Sequence, residues 1–220
     1  MINKHFTHLL FDLDGTLSDN SDGIIGGIIY SLKSFGFEIP DRHELVKFIG
    51  PPLSETFRVL CGFDENGVAE AVNRYRTYYR KTGIFENRMY DGVPEMLKEL
   101  KNSGYHLYVA TSKPEEFARK ICAHFGIDKY FDFIGGATFD GVRGKKSDVI
   151  KYVIDECKIP REGVLMIGDR FHDIEGAHAC GIPALGVLYG FGTLDEMISC
   201  GADYLAETPS DVVSVLLKQR

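Results

Sequence analysis

The chain lacks any apolar run approaching the ~20 residues that a membrane-spanning helix needs. It also lacks a CxxC pair: its five cysteines, Cys61, Cys122, Cys157, Cys180 and Cys200, stand far apart. That spacing argues against a disulfide framework and against a structural zinc site. Buried or idle thiols in a reducing compartment are the plain expectation. The N-terminal apolar run is short and meets Asp12 too soon for a signal peptide, so a cytoplasmic protein is expected. Positive charge is scarce, with 25 Lys and Arg against 32 Asp and Glu and a formal net charge of -7. A uniform surface of that sign repels nucleic acid polymers and anionic membranes, although a local basic patch is still allowed. Internal repeats and low-complexity segments are missing too. One large domain, or one domain carrying an insert, suits the 220 residues.

What is present falls into two rhythms. His8-Leu9-Leu10-Phe11 suits a buried strand. From about Asp19 to Ile84 the pattern is helical, with Ile24, Ile25, Ile28, Ile29, Leu32 and Phe35 at helical spacing, and later Val68, Val72, Tyr75 and Tyr79. "FIGPPLSETF" interrupts it, because Gly50-Pro51-Pro52 breaks a helix. No convincing strand is seen in this stretch. Beyond it, helices and strands alternate. "VPEMLKELKNSG" predicts a helix ending at Gly104. "YHLYVATS", "FDFIGGA", "GVLMIGD" and "PALGVLYG" predict strands. "PEEFARKICAHFG", "SDVIKYVIDECK" and "DIEGAHACG" predict helices, with Ser147 as the N-cap of the second. Such alternation implies a parallel sheet with both faces covered. The expectation is a Rossmann-like α/β core over residues 1–18 and 86–220, flanked by helices, with an α-helical cap inserted at 19–85.

Ligands of open parallel sheets sit at the carboxyl ends of strands. Asp12, Asp14 and Thr16 follow the first strand. Thr111, Ser112 and Lys113 follow "YHLYVA", and Asp169 and Asp173 follow "GVLMIG". Lys145 and Lys146 precede a helix. Four carboxylates at one sheet edge repel unless a cation joins them. Oxygen ligands suit Mg²⁺, which takes one or two carboxylates together with a substrate phosphate. A lysine offsets further charge and grips phosphate. Gly15 permits a tight turn whose N–H groups, with the Thr16, Thr111 and Ser112 hydroxyls, could be aimed at an anion. Each residue also has a plainer use. The aspartates suit turns or helix caps, Thr111 and Ser112 suit a cap, and the lysines suit a surface pair.

"DLDGT", "TSK", a lysine before "SDVI" and "GDRFHD" resemble, in order and spacing, the four motifs of the haloacid dehalogenase-like phosphohydrolases. The insert, "FIGPPLSETF" and "GDRFHDIEGAHACGI" are similar to the phosphoglycolate phosphatase-like branch with its helical cap. The resemblance implies that Asp12 is a nucleophile forming an aspartyl-phosphate. It implies that Asp14 is the general acid and base and that Lys146 steadies the reacting charge. Gly15, Thr16, Thr111 and Ser112 would hold phosphate. Asp12, Asp14 (through its carbonyl), Asp169 and Asp173 would hold Mg²⁺. Gly50, Pro51, Pro52 and Ser54 are the candidate cap contacts, in a cap expected to close over substrate. Arg170 departs from the serine common in relatives, and Asn20 from another serine. Of the clustered Arg74, Arg76, Arg80 and Lys81, a solvated helix face is the default, with a contact to an anionic substrate tail as the sharper idea.

The implied protein is a Mg²⁺-dependent phosphatase of a small phosphorylated metabolite, phosphoglycolate phosphatase-like or 5′-nucleotidase-like. It would be a monomer or homodimer, with no nucleic acid polymer or membrane as partner. Within the same fold, a phosphonate hydrolase or a sugar phosphomutase is the alternative. Leu53 in the cap loop disfavours both, although Lys47 is near. A non-catalytic phospho-acceptor domain is the alternative of another class.

Overall fold

The computed structural model describes residues 6–49 and 53–218. The chain enters through strand β1 (His8–Phe11) and passes a tight turn into the short β2 (Ser18–Asp19). Four helices follow: α1 (Ser21–Ser34), α2 (Arg42–Val46), α3 (Leu53–Cys61) and α4 (Glu65–Tyr78). A π-helical turn at Tyr79–Gly83 leads to β3 (Arg88–Met89), which pairs with β2. The strict alternation then runs α5 (Val93–Asn102), β4 (His106–Pro114), α6 (Glu115–His124), β5 (Phe133–Ala137), α7 (Lys146–Glu156) and β6 (Val164–Gly168). It closes with α8 (Phe171–Ala179), β7 (Ala184–Val187), α9 (Leu194–Ser199), β8 (Tyr204–Ala206) and α10 (Pro209–Leu217).

Six strands form one sheet in the order β5-β4-β1-β6-β7-β8, every pairing parallel. β1 lies between β4 and β6, in register His8 with His106 and His8 with Val164. Its Leu9, Leu10 and Phe11 are wholly buried, as is Val164–Ile167 of β6. Near-continuous apolar strands are what a sheet covered on two faces requires. α7 and α8 supply part of that cover through Val149, Ile150, Val153, Ile154, Ile174 and Ala177. Burying a side chain of this size contributes roughly 1.5–3 kcal/mol each.

The chain divides into two compact units, Met1–Ser18 with Met89–Arg220, and Asp19–Arg88. Glu86, Asn87 and Arg88 thus go with the helical unit rather than with the sheet. Glu86 accepts the Tyr78 hydroxyl (2.7 Å) and its carbonyl accepts Gly23 N–H, while Arg88 pairs with Asp19 at 2.7 Å. Inside that unit α1 and α4 approach closely at Gly27, where a Cβ would stand 2.6 Å from the Tyr75 ring. Two short strands, β2 and β3, bound a stretch whose sequence predicted none.

Other local expectations shift slightly. Gly104 follows the helix end with φ +83, in the position where glycine relieves left-handed strain, and Ser103 is the C-cap. β4 runs on to Pro114, and α6 begins only at Glu115. α7 starts at Lys146 with an extended Lys145 as N-cap, so Ser147 lies inside the helix and does not cap it. That places Lys146 in the first helical turn.

Candidate active site

Three neighbouring strands, β4, β1 and β6, present their carboxyl ends side by side. Asp12 leaves β1 with its N–H bonded to the Ile167 carbonyl of β6 (2.9 Å), which fixes its backbone against the neighbouring strand. Asp169 follows β6 directly. Asp173 is carried on the first turn of α8, where its Oδ2 accepts Arg170 N–H (3.0 Å) as half of a capping box. Helix capping and site membership are therefore both true of Asp173. Oxygen atoms of Asp12, Asp169 and Asp173 lie within 4.8 Å of one another, and all three residues are buried.

Lys146 reaches into this cluster. Its ammonium stands 2.8 Å from Asp12 Oδ1, 2.8 Å from Asp173 Oδ1, and donates to the Ala110 carbonyl at 3.1 Å. Lys145 is exposed. Burial alone would lower the Lys146 pKa, but the charges of Asp12 and Asp173 outweigh it and hold the ammonium protonated. Burial, then the negative charges of Asp173 and Asp12, push Asp169 well above the usual carboxylate range. Burial pushes Asp173 up to about 6 against the pull of Lys146, with Asp12 adding to the rise. Asp14 lies outside this cluster. Its Oδ2 accepts from the Lys113 ammonium at 2.5 Å. Four carboxylates thus face two lysines, which leaves two formal negative charges uncompensated.

The turn after Asp14 is closed on itself. Gly15 N–H donates to the Ser18 carbonyl (2.8 Å), and Thr16 N–H to the Leu13 carbonyl (3.4 Å). The Thr16 hydroxyl donates to Asp169 Oδ1 at 3.2 Å. The Gly15 and Thr16 N–H groups are therefore occupied within the loop, and the Thr16 hydroxyl is occupied by Asp169. Gly15 has a further reason to be glycine beyond the turn. Its φ is +85, and a Cβ there would lie 2.1 Å from Asp169 Oδ2. The missing side chain makes room for the Asp169 carboxylate. At the end of β4, Thr111 is buried and its Oγ1 accepts Lys113 N–H (3.2 Å), which leaves the hydroxyl proton free to donate. Ser112 is exposed.

Among the other expected residues, Gly50, Pro51 and Pro52 lie outside the described residues. Ser54 is half-buried in the first turn of α3. Lys47 is an exposed C-cap of α2 above the Phe48 ring. Arg74 is engaged within its own unit. It donates to Glu70 and to the Ser34 carbonyl and hydroxyl, and stacks 3.9 Å from the Phe35 centroid.

Three elements that sequence reasoning left out complete the surroundings. Lys113 follows Thr111 and Ser112, and no sequence pattern assigns it a task. Glu196 of α9 accepts Phe171 N–H (2.8 Å) and Arg170 Nε–H (2.9 Å), so the loop that lacks the usual serine is held from a distance. The strap Tyr189–Gly192 lies on the carboxylates: Phe191 N–H donates to Asp169 Oδ2 (2.8 Å), and the Tyr189 hydroxyl donates to the Thr16 carbonyl (3.1 Å). A Cβ on Gly190 would fall 2.2 Å from the Gly15 oxygen, and one on Gly192 would fall 1.9 Å from the Asp169 oxygen. The glycines of "GVLYGFGT" were the available signal.

A parallel sheet with acids and lysine gathered at the carboxyl ends of adjacent strands defines the class, and the family model agrees. Residues 9–187 match the haloacid dehalogenase-like hydrolases, and the chain belongs to that family. It is 47% identical over 192 residues to a Pseudomonas aeruginosa protein named 5′-nucleotidase, covering 87% of each chain. It is 38% identical over 206 residues to the Mycobacterium tuberculosis tyrosine-protein kinase PtkA, covering 94% of this chain and 67% of that one. The crystal structure of a predicted phosphatase from Clostridium acetobutylicum superposes with a TM-score of 0.92 at 41% identity, covering 97% of this chain and 99% of the other.

Proposed function

We propose that this chain is a Mg²⁺-dependent phosphatase that hydrolyses small phosphate monoesters through an aspartyl-phosphate on Asp12. One observation carries the proposal: Asp12, Asp169 and Asp173 crowd together at the sheet edge with Lys146 between two of them. The residual charge of two negatives and the all-oxygen donor set fit one divalent hard cation. Asp12, Asp169, Asp173 and the Asp14 carbonyl would hold it. Bound there, the ion would draw charge from the transferring phosphoryl group and ease its approach to a carboxylate.

The protein's own groups have distinct tasks. Asp12 attacks phosphorus through a carboxylate oxygen. Lys146, bridging Asp12 and Asp173, keeps that carboxylate in place and stabilises charge on the phosphoryl oxygens. The Thr111 hydroxyl donates to a phosphoryl oxygen. Asp14 gives a proton to the departing oxygen, then takes one from the water that hydrolyses the acyl phosphate. Nucleoside 5′-monophosphates are the first substrates to try, on the strength of the relative that is 47% identical over 192 residues and is named 5′-nucleotidase.

The test is phosphate release from a panel of nucleoside monophosphates, phosphoglycolate, pyrophosphate and sugar phosphates, with and without Mg²⁺. Asp12→Asn should abolish turnover of every substrate that the native enzyme cleaves. Turnover undiminished in that variant, or indifferent to chelation, would overturn the proposal.

A further inference from the structure

Lys113 is one of two buried lysines among the described residues, the other being Lys146. An ammonium is not buried cheaply, and it persists inside a protein only when paired. Its burial here is built by the backbone. The register between β4 and β5 shifts between Thr111 and Pro114, with Thr111 opposite Gly136 and Pro114 opposite Ala137. Extra residues on one strand re-aim the side chains of that strand. Ser112 is accordingly exposed, whereas the side chain of Lys113 is 5% exposed. Two contacts pin the bulge. Thr111 Oγ1 accepts Lys113 N–H, and a Cβ on Gly136 would stand 2.6 Å from the Lys113 carbonyl oxygen. The strand thus gives up regular pairing at this point, and the result is one ammonium turned inward.

That ammonium is paired with Asp14. Nζ lies 2.5 Å from Oδ2, while Oδ1 is buried and without a hydrogen-bond partner. A carboxylate oxygen buried without a partner is costly, and such an atom calls for an explanation. Asp14 is also absent from the Asp12, Asp169 and Asp173 cluster, so neither Lys146 nor the cation expected there holds its side chain.

Given the acid–base role proposed for Asp14, we infer that Lys113 is a positioning residue for it. The ammonium fixes Oδ2 and leaves Oδ1 as the oxygen that exchanges a proton with the leaving group and the attacking water. The proton passes from Oδ1 to the departing alkoxide as the P–O bond breaks. It returns to Oδ1 from the water whose oxygen attacks the acyl phosphate, so Asp14 ends each cycle as it began.

The test is leaving-group dependence. kcat/KM reports the steps up to departure of the leaving group. An alkyl phosphate needs that proton, whereas p-nitrophenyl phosphate departs largely without it. Lys113→Met should lower kcat/KM about a hundredfold for the best alkyl phosphate of the panel and less than about fivefold for p-nitrophenyl phosphate. Asp14→Asn should show the same selectivity, and Lys113→Met should add little on top of it in the double variant. Equal losses on both substrates would overturn the inference, since a merely structural lysine acts that way. A raised KM for both substrates with weakened vanadate inhibition would overturn it in favour of direct phosphate binding. If Asp14→Asn is itself unselective, the acid–base role falls. If Asp14→Asn is selective and Lys113→Met is not, only the positioning role falls. Should Lys113→Met fail to fold, the double variant buries no unpaired carboxylate, and Lys113→Arg keeps the charge while displacing Oδ2. Lys113→Arg should then show the selective loss, and the double variant should match Asp14→Asn.

Discussion

The Lys146 ammonium lies 2.8 Å from Asp12 Oδ1, with a side chain only 4% exposed. So deep a pair cannot lose one member without leaving the other charged and unpaired. Lys146→Met should therefore destabilise the protein by about 3–5 kcal/mol in metal-free buffer and cut kcat by about a hundredfold or more. Urea unfolding with steady-state kinetics checks both. Full activity in a folded variant would remove Lys146 from the site.

Gly190 and Gly181 make a contrasting pair. A methyl on Gly190 meets the Gly15 carbonyl and the Asp169 side chain, whereas one on Gly181 meets nothing within 4 Å. Gly190→Ala should shift the Asp169 carboxylate, lowering kcat/KM about a hundredfold and raising the Mg²⁺ concentration for half activity. Gly181→Ala, at φ +73, should cost about 1–2 kcal/mol of backbone strain and leave kcat/KM unchanged. Parallel Mg²⁺ titrations and thermal melts separate the two effects.

Acid stability should depend on Asp132. Burial raises its pKa, but hydrogen bonds and charge from Lys101 and His106 prevail and hold it below the ordinary value. A depressed folded pKa adds stability above the unfolded value, about 3.9, and that stability disappears as pH falls through the folded value. Asp132→Asn should thus trail the native protein at pH 7, and the gap should close below about pH 4. With its side chain 36% exposed, the gap will be modest. Urea midpoints across pH decide it, and a gap that ignores pH would contradict the assignment.

Cys122 should resist thiol reagents. Burial, with smaller contributions from Asp128 and Asp14, pushes its thiol up to about 12. Since the thiolate is the reactive form, iodoacetamide at pH 8 should label Cys122 only after denaturation. Peptide mass spectrometry before and after urea reads this directly.

How legible the site was depended on distance along the chain. Asp12 and Asp169 stand immediately after strands, with Asp14 in the turn that follows Asp12, and a strand end is a local signal that composition and spacing carry. The parallel sheet followed likewise from alternation. Lys113 was visible as a residue but not as an inward group. Its direction comes from a bulge set by Gly136 on another strand, and no local pattern encodes that. Glu196 was missed because it meets Arg170 and Phe171 from a separate helix. For Gly15 the tight turn is legible, and φ is +85, but the close approach of Asp169 is not. A sequence displays the freedom of a glycine but not the carboxylate that occupies the vacated space.

The central position of β1 has a consequence for assembly. This strand leaves the ribosome well before its partners, which begin only at His106 and Val164. The helical unit Asp19–Arg88 is complete before either partner exists. Leu9, Leu10 and Phe11 must therefore stay unpaired until those partners emerge, an apolar strand with two open edges. The acids that follow, Asp12 and Asp14, then do a second service. Charge at the end of an exposed strand discourages pairing with other chains, so the residues that will form the site also guard the nascent sheet until it closes.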